Sequence, residues 1–140
     1  MKFIIDDKVK FKHCDTAGIV FYPRYFEMLN DTIEDWFEVL GLPFCELHSS
    51  NTGVPMVNIE CNFKKPSYLG DVLKKELSII KLGKSSCTLK IEFIGKKDES
   101  LRVEFFCTIV NIDLAKKTSS FWSDEIKNKM NKYLQNKEEK

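Results

Sequence analysis

The chain has 140 residues, of which 43% are hydrophobic and 31% charged, and its formal net charge is +1. This length fits one domain over residues 1–140 with a sizeable core. A near-neutral chain without an aromatic and basic recognition motif argues against nucleic-acid binding. No apolar run approaches the roughly 20 residues that a membrane-spanning helix needs, and Met1 to Asp7 is too short and too acidic for a signal peptide. We therefore expect a soluble, cytoplasmic protein.

The cysteines and histidines indicate neither a disulfide framework nor a metal site. The five cysteines are scattered, odd in number and without a C-x-x-C pair. Three of them lie in strand-like runs and fit the core as small apolar residues: Cys61, Cys87 and Cys107. His13, Cys14 and Asp15 are consecutive, and consecutive residues of an extended segment point to opposite sides. The only other imidazole is His48, so we expect no metal and no cofactor.

The first predicted elements are a strand and a long amphipathic helix. Phe3 to Lys12 is rich in β-forming residues with partial alternation, which predicts a strand. A helix is predicted from Tyr22 to Leu40, because apolar residues recur there at spacings of three and four. The apolar stripe consists of Tyr22, Tyr25, Phe26, Leu29, Ile33, Trp36, Phe37 and Leu40. Pro23 suits the first helical position, and Gly41 ends the helix.

The loop between these two elements carries the candidate chemistry. Asp15 lies seven residues before Tyr22, and Ala17 and Gly18 between them allow a tight turn. A helix N-terminus exposes unpaired N–H groups and a partial positive charge that hold a developing anion. A loop that folds back places a carboxylate, as nucleophile or general base, beside such an oxyanion hole. The alternative is a turn aspartate that only accepts a hydrogen bond from its own backbone.

A short helical turn and a second strand are predicted next. Pro43 to Gly53 is rich in Ser, Asn and Gly after its first residues, which indicates a helical turn followed by a loop. Val54 to Phe63 alternates, which predicts a half-buried strand. Its apolar face consists of Val57, Ile59, Cys61 and Phe63. Four apolar residues of this region either line an acyl pocket or belong to the core: Phe44, Met56, Val57 and Phe63.

Three further strands are predicted at Val72 to Leu82, Cys87 to Ile94 and Leu101 to Asp113. Their short connections favour antiparallel hairpins, because parallel strands need a crossover of a dozen or more residues. The pattern predicts an α+β fold, with an antiparallel sheet of about five strands wrapped around the central helix. Ser123 to Gln135 predicts a C-terminal helix with Ser123 as its N-cap, and Asn136 to Lys140 predicts a charged, frayed tail.

A resemblance to a known family is carried mainly by residues 14–26, CDTAGIVFYPRYF. This run resembles the signature of the 4-hydroxybenzoyl-CoA thioesterase family of hot-dog-fold proteins, and the turns at Tyr68 to Asp71 and Leu82 to Ser86 also resemble that family. The resemblance implies a hot-dog acyl-CoA thioesterase. It implies Asp15 as the catalytic carboxylate and the backbone N–H of Tyr22 as the oxyanion donor. It also implies a set of substrate-binding residues: Gly18, Ile19, Val20, Lys64, Lys65, Lys84 and Ser85.

The resemblance also implies a homodimer or homotetramer, because the family's sites lie at a subunit boundary. Coenzyme A carries phosphates, and the lysines that flank the relevant turns are candidates to bind them or else solvated surface charges: Lys64, Lys65, Lys81 and Lys84. The chain departs from some relatives in two places. Tyr22 stands where they have histidine, and Leu82 and Gly83 stand where they have arginines.

One carboxylate suffices for the implied reaction, because the leaving thiol has a pKa like that of cysteine, about 8.5, and departs as a thiolate. The sequence leaves open whether Asp15 attacks the carbonyl or activates water, and which acyl group is bound. Thioesters of acyl carrier protein are an alternative substrate, and a non-catalytic acyl-binding hot-dog dimer is an alternative function. A hot-dog dehydratase is disfavoured, since neither His13 nor His48 opens the helix beside an acidic partner.

Overall fold

The computed structural model describes residues 1–47 and 49–135, in which eight strands and four helical segments occur. The strands are β1 (Phe3–Lys8), β2 (Thr52–Gly53), β3 (Met56–Phe63), β4 (Val72–Leu82), β5 (Ser86–Gly95), β6 (Leu101–Val110), β7 (Ile112–Asp113) and β8 (Thr118–Ser119). The helical segments are a 3-10 turn (Phe11–His13), α1 (Pro23–Leu40), α2 (Phe44–Leu47) and α3 (Asp124–Asn131).

The five longer strands form one antiparallel sheet in the order β1-β4-β5-β6-β3. Helix α1 packs against one face of this sheet, where Tyr25 contacts Phe93 and Phe26 contacts Phe105 at ring-centroid distances of 6.3 and 5.8 Å. The three shortest strands form a second sheet in the order β2-β7-β8. The predicted α+β arrangement, a sheet of about five strands around a central helix, is confirmed.

Both ends of α1 follow the sequence signals. Pro23 is the first helical residue, and Gly41 ends the helix in the left-handed conformation with φ of 84°. The buried face agrees with the predicted stripe for six residues: Tyr25, Leu29, Ile33, Trp36, Phe37 and Leu40. The stripe was wrong for Tyr22, whose side chain is exposed, and it omitted the buried Met28 and Thr32. Thr32 is tolerated there because its hydroxyl donates to the Met28 carbonyl at 2.7 Å.

A single cluster of buried side chains joins α1, the sheet and α3. The pleat of β5 shows the rule most clearly, because its buried residues alternate with half-buried ones: Cys87, Leu89, Ile91 and Phe93. Two of the core cysteines, Cys87 and Cys107, are buried, and burial raises the pKa of each thiol to about 12. None of the described helices is long and apolar enough to span a membrane.

Two predicted strands are shorter than expected. β1 ends at Lys8 instead of Lys12, because the amide of Val9 turns to donate to the Asp71 carbonyl at 2.8 Å and a 3-10 turn follows. The strand predicted to run to Asp113 breaks at Asn111. The side-chain amide of Asn111 donates to two carbonyls of the following segment, at 3.1 and 3.2 Å, and the chain passes into the second sheet.

Strand β3 lies at the edge of the large sheet, and this position overturns the prediction of a half-buried strand. Its partner on one side is β6, and the pairing shifts register between Met56 and Asn58, which is a β-bulge. Ile59 and Phe63 are paired with core residues of β6 and yet are exposed, since among the described residues no further strand lies beyond this edge. The alternation predicted the pleat correctly, whereas burial depends on what covers the edge.

The C-terminal helix is confirmed but ends at Asn131. The Ser123 hydroxyl accepts a hydrogen bond from the Ile126 amide at 3.2 Å, as expected of an N-cap. Beyond the helix, the chain runs beside β4, where the Ile79 amide donates to the Tyr133 carbonyl at 2.9 Å. The predicted tail, Asn136 to Lys140, and His48 lie outside the described residues.

Candidate active site

The loop that precedes α1 folds back on itself, as its glycine and alanine suggested. The Asp15 amide donates to the Ile19 carbonyl at 3.0 Å, and the Gly18 amide donates to the Asp15 carbonyl at 3.1 Å. Cys14 and Val20 form an antiparallel bridge that closes the loop. Gly18 has a φ of 78°, a left-handed conformation that costs glycine little. Backbone geometry therefore fixes the place of Asp15 relative to the start of the helix.

The Asp15 side chain is exposed, and one of its oxygens is held by the loop. Oδ1 accepts a hydrogen bond from the Ala17 amide at 2.8 Å, which is an Asx turn. No ion pair engages Asp15 within residues 1–47 and 49–135. The turn that the sequence offered as an alternative to catalysis thus exists, and it leaves the carboxylate exposed and accessible to a ligand.

The backbone N–H of Tyr22 is the free donor at the start of α1. The nearest amides before and after it are hydrogen-bonded: Phe21 donates to the His13 carbonyl at 2.9 Å, and Arg24 donates to the Phe21 carbonyl at 2.8 Å. Pro23 has no N–H. Among the described residues, no backbone carbonyl accepts from Tyr22. An unpaired amide at the positive end of an 18-residue helix suits a developing negative charge.

A cleft of about 310 Å³ lies beside this amide. Its walls are mainly apolar and aromatic, and consist of Ile19, Val20, Tyr22, Tyr25, Phe63 and Pro66. Two lysines, Lys64 and Lys65, lie at its rim. The rings of Tyr22 and Tyr25 contact Phe63 at centroid distances of 6.2 and 5.9 Å. Burial raises the pKa of Tyr25, and hydrogen bonding to Ser67 offsets part of that increase. Apolar walls with few polar groups are typical of a small-molecule site.

Five of the residues proposed from sequence lie in this cleft, namely Ile19, Val20, Tyr22, Lys64 and Lys65. Gly18 supports it from behind, because its carbonyl accepts from the Leu69 amide at 3.1 Å. Phe63 was one of four candidate pocket residues and lines the cleft. The other three do not, since Phe44 packs on Phe37 at 5.3 Å, and Met56 and Val57 are exposed on β3.

Lys84 and Ser85 lie elsewhere in the same chain. They follow β4, whose 11 residues span about 33 Å from the Asp71 turn to the far end of the sheet. There, the Lys84 carbonyl accepts from the Trp122 amide at 2.9 Å, and the Ser85 carbonyl accepts from the Asn111 amide at 2.7 Å. One chain by itself does not bring these two residues to the cleft, so their role in binding stays a prediction.

Several residues around the cleft were not predicted from sequence. Tyr25 was assigned to the apolar stripe, and its hydroxyl was the signal that one end of it meets a polar environment. Arg102 stands in an otherwise apolar strand, and its buried guanidinium donates to Asp71 at 2.8 Å. A lone arginine inside a strand signals a buried ion pair, but its partner lies 31 residues away and has no local signature.

His13, which the sequence analysis disfavoured as a metal ligand and as a dehydratase residue, has a structural role. Its Nδ1 accepts a hydrogen bond from the Lys10 amide at 2.9 Å, which closes the 3-10 turn. Burial lowers the pKa of this imidazole, although Asp7 opposes that effect. Among the described residues, no group of three or more His, Cys, Asp or Glu side chains has an arrangement that fits a metal ion.

A sheet wrapped around one helix, with a carboxylate-bearing loop and a free amide at the helix N-terminus, defines a hot-dog protein of the thioesterase class. Residues 9–130 match the thioesterase-like superfamily, and the chain belongs to that superfamily. The sequence resemblance is therefore confirmed at this level, and the fold class with it.

Individual relatives narrow the activity. A 1,4-dihydroxy-2-naphthoyl-CoA hydrolase of Prochlorococcus marinus (strain MIT 9515) is 28% identical over 102 residues, which are 69% of this chain and 67% of that protein. The enzyme of the same name from strain NATL2A is 31% identical over 93 residues, covering 61% and 60% of the two chains. These relatives hydrolyse CoA thioesters, as their names state, and the prediction of a thioester hydrolase is confirmed.

Solved structures give the same fold. A 1,4-dihydroxy-2-naphthoyl-CoA thioesterase from Synechocystis superimposes with a TM-score of 0.86 at 19% identity, covering 93% of this chain and 96% of that one. The gentisyl-coenzyme A thioesterase BH1999 superimposes with a TM-score of 0.79 at 27% identity, covering 89% and 99%. The likeness to the Synechocystis protein shows the fold. The sequence relatives and BH1999 support acyl- or aroyl-CoA thioesterase activity.

Proposed function

We propose that the protein hydrolyses acyl- or aroyl-coenzyme A thioesters, with Asp15 as the catalytic carboxylate and the Tyr22 N–H as oxyanion donor. The observation that carries the proposal is the free amide at the start of α1, preceded by a loop that holds one oxygen of Asp15 at 2.8 Å. A fixed carboxylate and a fixed donor are what attack and oxyanion stabilisation require.

The proposed chemistry needs no further acid. The thiolate of coenzyme A leaves readily, because its parent thiol has a pKa like that of cysteine, about 8.5. In one route Asp15 attacks the thioester carbonyl, the thiolate leaves, and water then hydrolyses the resulting anhydride to the free acid and regenerates Asp15. In the other route Asp15 removes a proton from a water that attacks the carbonyl, and the thiolate leaves. In both routes, negative charge develops on the carbonyl oxygen, and the Tyr22 N–H and the helix dipole stabilise it. One such donor is typically worth about 2.7 to 4 kcal/mol in the transition state.

An aroyl group is the substrate that the cleft favours. Aromatic side chains form its walls, and flat rings pack well against rings in offset or edge-on contact. The named relatives act on naphthoyl and gentisyl thioesters, and the CDTAGIVFYPRYF run supports the narrower 4-hydroxybenzoyl-CoA thioesterase family. In this proposal Gly18, Ile19 and Val20 form the wall beside the acyl group. Lys64 and Lys65 at the rim attract the phosphates of coenzyme A.

We propose a homodimer that forms through the free edge of β3. No strand within residues 1–47 and 49–135 pairs with the outer side of β3. This edge carries exposed apolar side chains, which natural proteins rarely leave uncovered. A partner would cover Ile59 and Phe63, and it would bring its own Lys84 and Ser85 to a site that a single chain leaves without them. A homotetramer would add a second interface to this dimer.

Two other readings make different predictions. Acyl carrier protein in place of coenzyme A would require a protein-sized surface around the cleft. A non-catalytic acyl-binding dimer would keep ligand binding without turnover.

We further propose that residues 1–140 form one domain, since one core cluster joins the sheet, α1 and α3. We also propose that the protein acts in the cytoplasm, where its free cysteines would persist.

The test is thiol release from a panel of thioesters by the wild type and Asp15→Asn. The panel contains acetyl-, hexanoyl-, palmitoyl-, benzoyl-, 4-hydroxybenzoyl-, gentisyl- and 1,4-dihydroxy-2-naphthoyl-CoA. Asparagine retains the Oδ1 acceptor of the Asx turn, so the loop keeps its geometry while the charge is lost. We expect the aroyl thioesters to react fastest and kcat of the variant to fall by about 10² to 10⁴.

Asp31→Asn is the matched control, because Asp31 is an exposed aspartate on α1 far along the helix from its N-terminus. Circular dichroism of both variants separates loss of chemistry from loss of fold. If Asp15→Asn retains wild-type turnover, Asp15 is not catalytic. If the wild type releases no thiol from any thioester, the coenzyme A hydrolase proposal fails, and hydrolysis of acyl carrier protein thioesters or acyl binding takes its place.

A further inference from the structure

Arg102, the second residue of β6, is only 6% exposed, and its side chain donates several hydrogen bonds. Its guanidinium donates to Asp71 Oδ2 at 2.8 Å and to both carboxylate oxygens of Asp98 at 3.1 and 3.2 Å. It also donates to the Ser67 hydroxyl at 3.2 Å and to the Pro66 carbonyl at 3.3 Å. A buried cation is costly unless it is paired in this way.

Arg102 holds the segment of residues 64–71 at both ends. Its carbonyl accepts from the amides of Lys64 and Lys65 at 2.9 and 3.2 Å, and its side chain binds Ser67 and Asp71. This segment, which we call the clamp segment, connects β3 to β4 and forms one wall of the cleft. Only an arginine can make these contacts together, because its planar fork carries five N–H donors and lysine presents three from one point.

The clamp segment in turn holds the catalytic loop. The Val20 amide donates to the Ser67 carbonyl at 2.9 Å, and the Leu69 amide donates to the Gly18 carbonyl at 3.1 Å. Gly18 and Val20 belong to the loop that Asp15 begins and that leads directly into Tyr22. An unbroken series of hydrogen bonds therefore runs from the Arg102 guanidinium to the backbone between the two catalytic groups.

We propose that Arg102 is a positioning residue for thioester hydrolysis, acting through Ser67 and Asp71 to fix the distance between the Asp15 carboxylate and the Tyr22 amide. The inference rests on the proposed function, and it adds a residue that does not touch the substrate. A displacement of about 1 Å in a catalytic group can reduce the rate by about a hundredfold. A loop made of few residues and exposed on one side needs such an external support.

The two aspartates that pair with Arg102 provide a matched test. Asp71→Asn and Asp98→Asn each remove one carboxylate from the same guanidinium without changing side-chain size. Asp71 belongs to the clamp segment and also accepts from the Tyr68 amide at 2.9 Å. Asp98 lies in the turn between β5 and β6, accepts locally from Ser100, and has Oδ2 at 3.6 Å from Lys65 Nζ. Because the Lys65–Asp98 pair is solvent-exposed, it contributes little to the position of the clamp segment. We expect kcat to fall by about tenfold to a hundredfold in Asp71→Asn and to change less than about threefold in Asp98→Asn.

The kinetic constants separate positioning from general stability when they are expressed per folded molecule, with the folded fraction measured by circular dichroism. Loss of positioning lowers kcat while KM changes little, whereas a partly unfolded enzyme shows a lower active fraction and an unchanged rate per folded molecule. Arg102→Lys, which retains the charge, should resemble Asp71→Asn. The double variant Arg102→Lys/Asp71→Asn should be no slower than the slower single variant, because both act through one link.

Amide hydrogen exchange measured by NMR gives a readout that needs no substrate. In Asp71→Asn and Arg102→Lys, the amides of Val20 and Leu69 should exchange at least about tenfold faster, while Ile91 in β5 is unchanged as an internal reference. Asp98→Asn should leave all three amides unchanged. Equal effects of the two aspartate variants, or no change at Val20 and Leu69, would overturn the inference.

The same pair of measurements distinguishes failure of the proposed function. If the wild type hydrolyses no thioester in the panel, the catalytic role of Arg102 falls together with that proposal. The exchange data then still decide whether Arg102 fixes the loop. If the wild type is active and Asp71→Asn loses activity without faster exchange at Val20, the residue acts on the reaction by another route, and the positioning role is refuted.

Discussion

Replacing Ile59 with lysine tests whether a second copy of the chain covers the free edge of β3. Ile59 is 41% exposed, although its partner across the strand pair, Cys107, is buried in the core. Ile80 on β4 is also 41% exposed and lies in an interior strand of the sheet. Ile80→Lys is therefore a control of the same residue type and the same exposure that does not lie on the β3 edge.

The expected effect on dimerisation follows from the exposed fraction. Burying a whole isoleucine side chain contributes about 1.5 to 3 kcal/mol, so the 41% that is still exposed is worth about 1 kcal/mol. A two-fold interface contains the residue twice, which makes about 2 kcal/mol per dimer. This corresponds to about a thirtyfold weaker Kd. The lysine charge adds a desolvation cost, so thirtyfold is the smallest loss that we expect.

Sedimentation velocity over a range of protein concentrations measures the Kd directly. We expect a wild-type dimer, a weakened dimer for Ile59→Lys, and a Kd within about threefold of wild type for Ile80→Lys. Thiol release should fall with the dimer fraction if the partner's Lys84 and Ser85 complete the site. A wild-type monomer, or equal effects of the two lysine substitutions, would refute the reasoning about the β3 edge.

Three further predictions concern stability and are checked by urea unfolding. Burial raises the pKa of Asp71, but hydrogen bonds from Tyr68 and Arg102 outweigh this effect and lower the pKa in the folded state. The ionised carboxylate therefore stabilises the fold at a pH above its unfolded pKa of about 3.9. This contribution is lost as the pH falls through the lower folded pKa. Asp71→Asn should therefore flatten the loss of stability below about pH 4; a wild-type slope in the variant would contradict this. Gly41→Ala should destabilise by about 1 kcal/mol, because φ is 84° and the new Cβ would lie 3.0 Å from Lys129 Nζ; an unchanged midpoint would argue against the left-handed cap. Ser123→Ala should cost about 1 kcal/mol by removing the hydroxyl that accepts from Ile126, and Ser123→Asp, which keeps an acceptor, should not.

Local signals in the sequence determined the elements of this protein. Pro23 and Gly41 fix the ends of α1 because each imposes a backbone conformation by itself. Alternation predicted the pleat of β5, since it depends only on which residues share a face. The loop from Asp15 to Tyr22 was also readable, because a turn between nearby residues needs no distant partner.

Only the tertiary structure decided what those elements meet. Alternation in β3 is the same for an edge strand and an interior strand, so the exposure of Ile59 depends on sheet order. The partners of Arg102 at Asp71 and Ser67 are 31 and 35 residues distant, and chain folding alone brings them together. Lys84 lies at the opposite end of the sheet from the cleft, because the whole length of β4 separates it from the Asp71 turn. Contacts between residues far apart in sequence leave no local pattern, because their geometry is set by the packing of whole elements.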